Sequence, residues 1–243
     1  MRNDAMKPWL LSIVMLSCSL YAFAQSGRSK DFGVIASAEV SVGVGRRFDV
    51  SLEEELRFNN NCAQFDRWLN SLSVECKCLH NRLKLGLTGD YIRRHNDKNY
   101  FENRFRAGAQ VTYSESIYHF KFSLRSKLIA TFRDETIGDY RVNPKLYWRN
   151  RLQISYQRPN SRFKYSLSTE LHWLINDPKN CIVDNLRTVL AVDYRVARHH
   201  TVSLFARMDN DLQVNQPVDR FYLGATWKLK YGVIGGKGWR ESL

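Results

Sequence analysis

From residue 31 to residue 231 the chain alternates apolar and polar residues with hardly a break. Phe48, Val50 and Leu52 mark one stretch, and Leu83, Leu85, Leu87 and Tyr91 another. Phe101, Phe105, Ala107, Ala109, Val111 and Tyr113 form a third; Tyr118, Phe120, Phe122, Leu124, Leu128 and Phe132 form a fourth. Period two is the signature of a strand with one apolar and one polar face. The intervening residues are heavily charged, with Lys121, Arg125 and Lys127 in one stretch and Arg149 and Arg151 in a later one. A soluble β-sandwich would bury its apolar face and would rarely carry Tyr, Phe and Trp at so many strand ends. A membrane barrel turns that face to lipid and the charged face to a wet lumen. The pattern predicts an all-β fold, an antiparallel up-and-down transmembrane β-barrel, with a periplasmic β-sandwich as the non-membrane rival.

The strands are expected near 32–45, 46–58, 64–77, 82–94, 100–113, 117–132, 144–156, 162–175, 184–195, 199–211 and 218–231. Short turns alternate with longer links at 59–63, 95–99, 133–143, 176–183 and 212–217, which hold Asn, Asp and Pro. Short turns on one rim and long loops on the other are typical of single-chain outer-membrane barrels, whose short turns are periplasmic. Eleven stretches conflict with the even strand numbers of bacterial barrels. Twelve strands are therefore expected, with ten next, on the premise that residues 25–31 add a strand or that 31–45 is not one simple strand.

Aromatic positions follow the same geometry. Tyr113, Tyr118, Tyr156, Phe163 and Tyr194 lie on the apolar face beside short turns, and Tyr91, Phe101, Phe132, Trp148 and Trp173 lie towards the long links. Two girdles flanking an aliphatic band are expected at the two headgroup levels of a bilayer. Glu54 and Arg93 run against the pattern, because they also fall on the apolar face.

The N-terminus supplies an address. Arg2 and Lys7 precede the uncharged apolar run Trp9–Phe23, and Ala22-Phe23-Ala24 offers a small-x-small cleavage site. Cleavage after Ala24 is expected; Leu16-Ser17-Cys18, a loose lipobox, is the competing site. The predicted organisation is a signal peptide at 1–24, a linker at 25–30, a barrel at 31–231 and a tail at 232–243, located in the bacterial outer membrane. The net charge of +13 and the pI near 9.7 would ordinarily suggest nucleic acid. Here the basic residues are scattered over inward positions behind an export signal, so no nucleic-acid partner is expected. Lipopolysaccharide, anionic solutes or ion pairs in the lumen fit better.

Several segments carry a resemblance. Asp31-Phe32-Gly33, the run Ser51 to Phe58, Phe65-Asp66-Arg67-Trp68, the run Tyr100 to Arg106 and the closing run Tyr222 to Tyr231 span nearly the whole mature chain. Together they resemble an uncharacterised, domain-of-unknown-function family of Gram-negative outer-membrane β-barrels. The resemblance implies a barrel in contact with outer-membrane lipid and lipopolysaccharide, delivered by the barrel-assembly machinery. It implies no activity, so no functional residue is carried across. The chain departs from the family pattern by continuing from Gly232 to Leu243 beyond the terminal aromatic Tyr231.

The candidate chemistry lies in the charged inward positions. Glu53, Glu55 and Arg57 share one strand and Arg67 follows the next link; Glu102, Arg104 and Arg106 repeat the theme. With Lys121, Arg125, Lys127, Arg149 and Arg151 they predict a charged lumen in which cations outnumber anions, hence anion preference if it conducts. Carboxylates at i and i+2 on a strand suit a ladder of ion pairs better than acid–base catalysis. None of the six histidines has Ser two residues away, the spacing a barrel hydrolase would need. No enzyme, cofactor or metal site is expected. Removing Cys18 leaves four cysteines, of which Cys62 and Cys181 fall on one rim and could bridge, with free thiols as the alternative. The leading functional reading is a small, porin-like passive pore or structural barrel. A plugged barrel that binds a surface ligand or lipopolysaccharide through its loops is the alternative, and a lipid hydrolase is disfavoured.

Overall fold

A computed structural model describes residues 28–79, 82–95, 100–135, 142–177, 182–213 and 217–234. The elements are β1 (Ser29–Val44), β2 (Phe48–Asn59), β3 (Gln64–Cys78), β4 (Leu83–His95), β5 (Phe101–Ile117), β6 (Phe120–Arg133), β7 (Lys145–Tyr156), β8 (Phe163–Leu174), β9 (Ile182–Arg195), β10 (His200–Asp211) and β11 (Val218–Ile234). Each strand pairs antiparallel with the next, and β11 returns to β1 to close the barrel. All eleven predicted stretches are strands, and the expectation of twelve or ten is corrected to eleven. An odd number of up-and-down strands leaves first and last running the same way, so closure requires a parallel seam. That seam pairs Ser29 with Val218 at one end and Val44 with Ile234 at the other. The barrel therefore spans 29–234, taking in two residues of the predicted linker and three of the predicted tail.

The seam explains the count. β1 starts on the rim of the long links and β11 ends on the rim of the short turns, so no twelfth strand is needed. The short turns are tight: β1–β2 turns through Gly45, whose φ of +61° is easily adopted without a Cβ, and β5–β6 through Tyr118-His119. Eleven strands about 4.8 Å apart and tilted by about 40° close at a backbone diameter of roughly 22 Å. Side chains reaching inward from opposite walls can fill much of that width.

The two faces are chemically distinct. Leu52, Leu72, Leu87, Phe105, Leu128, Leu152, Leu190 and Leu204 are exposed on the outer face, as a continuous apolar band. Rings meet across strands on that surface: Trp148 with Trp173 at 5.5 Å, Tyr91 with Phe105 at 5.3 Å and Phe163 with Tyr194 at 4.9 Å. Inward positions are mostly polar, with Ile35, Ile92 and Ile129 buried among them. Hydroxyl pairs such as Ser37–Thr226, Ser51–Ser73 and Ser114–Ser123 bridge neighbouring strands at 2.7–2.8 Å. Glu54 and Arg93 do face outward and are exposed; Arg93 rests on the Phe101 ring with its guanidinium carbon 4.7 Å from the centroid.

Candidate functional site

Buried side chains fill the interior most densely over the half of the barrel nearest the long links. Tyr222 on β11 is 1% exposed and lies over Gly33 of β1. A Cβ at position 33 would run into the Phe58 carbonyl oxygen and meet the Tyr222 ring at 2.6 Å, so a side chain there would displace both the ring and the backbone of β2. The guanidinium carbons of Arg57 and Arg207 stand 5.1 and 5.4 Å from the centroid of the same ring. Such contacts contribute about 0.5–2 kcal/mol each, the upper figure when desolvated. Arg57 is paired with Glu55 and Arg207 with Asp209, and Arg187 Nε donates to Asp209 Oδ1 at 2.8 Å. Asp66 is held by Arg67 at 2.7 Å and approached by Arg94 at 3.5 Å. Glu102, also 1% exposed, accepts from Arg104 at 2.6 Å. Every acid of this layer has a cation, as buried charge requires.

The half nearest the short turns is wetter. Lys77 pairs with Asp49 at 2.6 Å, Lys84 with Glu75 at 2.9 Å, and Lys228 and Lys164 both reach Asp193, at 3.0 and 3.7 Å. The acids of this half, Asp49, Glu75 and Asp193, are 15–25% exposed, against 1–14% for Glu102, Asp66, Asp209 and Glu55 in the layer above. The interior is thus shaped like a cup, more tightly filled towards the long links than towards the short turns. Its rim pairs are solvated and worth about 0–1 kcal/mol each.

Charge is also uneven around the circumference. The inward positions of β5, β6 and β7 carry cations almost without acids. Arg125 stands directly opposite Arg151, Lys127 opposite Arg149 and Arg104 opposite Arg133. Like charges about 6 Å apart repel by about 3 kcal/mol at an effective dielectric of 20. Relief comes from Glu170 on β8: Arg125 reaches across β7 to it at 2.5 Å, Arg149 stands 3.9 Å away, and Glu170 also meets His172 at 2.9 Å. Arg106, Lys127 and Arg151 have no salt bridge within 4.0 Å among the described residues. The Nε–H groups of Arg106, Arg125 and Arg149 are buried without an acceptor.

All twelve sequence-predicted charges lie on inward positions, but they divide into groups. Glu55, Arg57 and Arg67 join the closed layer, as does the Glu102–Arg104 pair. Glu53 and Lys121 sit lower in the cup, and Arg106, Arg125, Lys127, Arg149 and Arg151 make the cationic wall. Sequence reasoning missed Asp66, Glu170, Arg187, Arg207, Asp209 and Tyr222. Alternation along β8 to β11 could have found all but Asp66. That residue is the extra one at a β-bulge, since Arg57 opposes Arg67 and Phe58 opposes Phe65, so strict parity misplaces it. Cys62 is a free thiol, and the bridge to Cys181 lies outside the described residues, as do the signal segment and most of the tail. Among the described residues no three His, Cys, Asp or Glu side chains gather as metal ligands.

Comparison with known proteins adds one match. A family described as protein of unknown function, DUF2490, matches residues 32–221, from the start of β1 into β11. No curated protein matches the chain. The matched segment contains the closed layer except Tyr222, and the whole cationic wall. On that coverage, the chain belongs to the DUF2490 family of unknown function.

Proposed function

We propose that this protein is an integral outer-membrane β-barrel, closed to through-flow, that presents a cationic cup to the compartment on its short-turn side. The exposed apolar band with its cross-strand aromatic pairs supports lipid on the outer face. The usual orientation of such barrels makes the short-turn side periplasmic. The buried layer around Tyr222, Arg57, Arg207 and Asp209 carries the reading, because a conducting pore would need water where these side chains meet. It favours the plugged barrel over the small passive pore. His172 is hydrogen-bonded to Glu170 and, among the described residues, to no hydroxyl that would serve as a nucleophile, which supports a role without catalysis.

Planar-bilayer recording tests this. Folded protein, with insertion verified by outer-membrane fractionation and heat-modifiable gel mobility, is expected to add no discrete current steps. Stepwise conductance would restore the pore reading, and failure to fractionate with the outer membrane would remove the membrane reading altogether.

A further inference from the structure

We propose that the middle of the cationic wall is a binding site for a doubly charged oxyanion of the phosphate type, reached from the short-turn rim. The proposal rests on the cup described above. Arg125, Lys127, Arg149 and Arg151 form two directly opposed like-charge pairs on β6 and β7, and Arg106 comes from β5 beside them. Lys127 is displaced towards Arg106 from its register partner Gln110. A Cβ on Gly108, the inward position between those two, would lie 3.1 Å from Lys127 Cε. Gln110 meanwhile donates to Glu75 at 2.9 Å and so turns the other way, down the cup.

The charge count selects the ligand. Glu170 is the one carboxylate within 4.0 Å of any of these cations among the described residues, and it engages Arg125 and Arg149. Asp90 on β4 is the register partner of Arg106 and accepts a hydrogen bond from Ser71 at 2.7 Å. With it counted, five cations face two carboxylates, so a single added negative charge still leaves the wall unbalanced. Three buried Nε–H donors lack acceptors there. A tetrahedral dianion offers several oxygens at once, and guanidinium groups grip such oxygens through paired hydrogen bonds. The wall faces inward, so a freely diffusing anion can reach it and a headgroup whose chains remain in the bilayer cannot. The closed layer bars the long-link side, which leaves the partly exposed short-turn half as the entrance.

Calorimetric titration of the full folded protein in detergent, at constant ionic strength, tests the site with inorganic phosphate, sulfate and chloride as probes. Saturable phosphate binding at least about tenfold tighter than chloride is expected, with Lys127→Gln and Arg151→Gln each weakening it about tenfold or more. Lys164→Gln, lower in the cup, is expected to change affinity less than about twofold. The proposal is overturned if the folded protein shows no saturable phosphate binding, or if Lys164→Gln weakens it as much as the wall variants do. Variants are scored only when heat-modifiable mobility shows them folded, and either wall variant suffices. Current steps blocked by phosphate would sink the closed-barrel reading and keep the site; silence without phosphate binding would do the reverse.

Discussion

Two walls of one barrel handle buried charge in opposite ways. From β9 round to β3, through the seam, Arg187 and Arg207 share Asp209, Arg57 holds Glu55, and Tyr222 lies between two guanidinium groups. Across the lumen, β5 to β7 set Arg against Arg and Lys against Arg, with Glu170 on β8 as relief. The closed layer of the first wall is complete in itself, since each of these charges has a counter-charge on its own or a neighbouring strand; lower down, Glu39 and Glu53 stand directly opposite each other. The second carries a surplus of cations, which the proposed anion would balance. In our proposals, closure rests on the first and anion binding on the second.

The sharpest way to break the contrast is Asp209→Ala. It strands Arg207 and Arg187 beside the buried Tyr222, and loss of one partner of a buried pair typically costs about 3–5 kcal/mol. Denaturant unfolding in detergent reads that loss, and a cost under about 1 kcal/mol would mean the layer is far wetter than its burial indicates. Gly33→Leu is next. Its side chain must enter the space of the Tyr222 ring and its Cβ would run into the Phe58 backbone carbonyl oxygen, an overpacking expected to cost about 3 kcal/mol in the same assay. Current steps appearing only in that variant would show Tyr222 to be part of the closure. The smallest effect has the opposite sign. Lys127→Gln relieves a directly opposed pair and, in phosphate-free buffer, is expected to stabilise the barrel by about 0.2–1 kcal/mol. The gain should shrink as salt rises, because screening already weakens the repulsion. Destabilisation at low salt would show that Lys127 has a partner and that the two walls are alike.

Much of this barrel was legible from one-dimensional pattern. Eleven alternating stretches became eleven strands, and Glu53, Arg106, Lys127 and Arg149 were placed inward by parity alone. Parity failed at Asp66, where one extra residue in β3 breaks the alternation. The count was legible too, but not its meaning, because the even-number habit of bacterial barrels outweighed it. The parallel pairing of Ser29–Val44 with Val218–Ile234 joins the two ends of the chain, and no local pattern encodes such a contact.

By itself the amino-acid order determined which face of each strand is apolar, since side-chain direction alternates with period two whatever the strand's neighbours. It also determined the cation excess of the interior, which is a matter of composition at alternate positions. Only the closed barrel decided which charges meet. Arg125 finds Glu170 two strands away, and Tyr222 finds Arg57 across the seam, because register and circumference set those distances. The same register decided that one half of the lumen is filled more densely than the other: long side chains converge where bulky partners share a level, and that coincidence exists only in three dimensions.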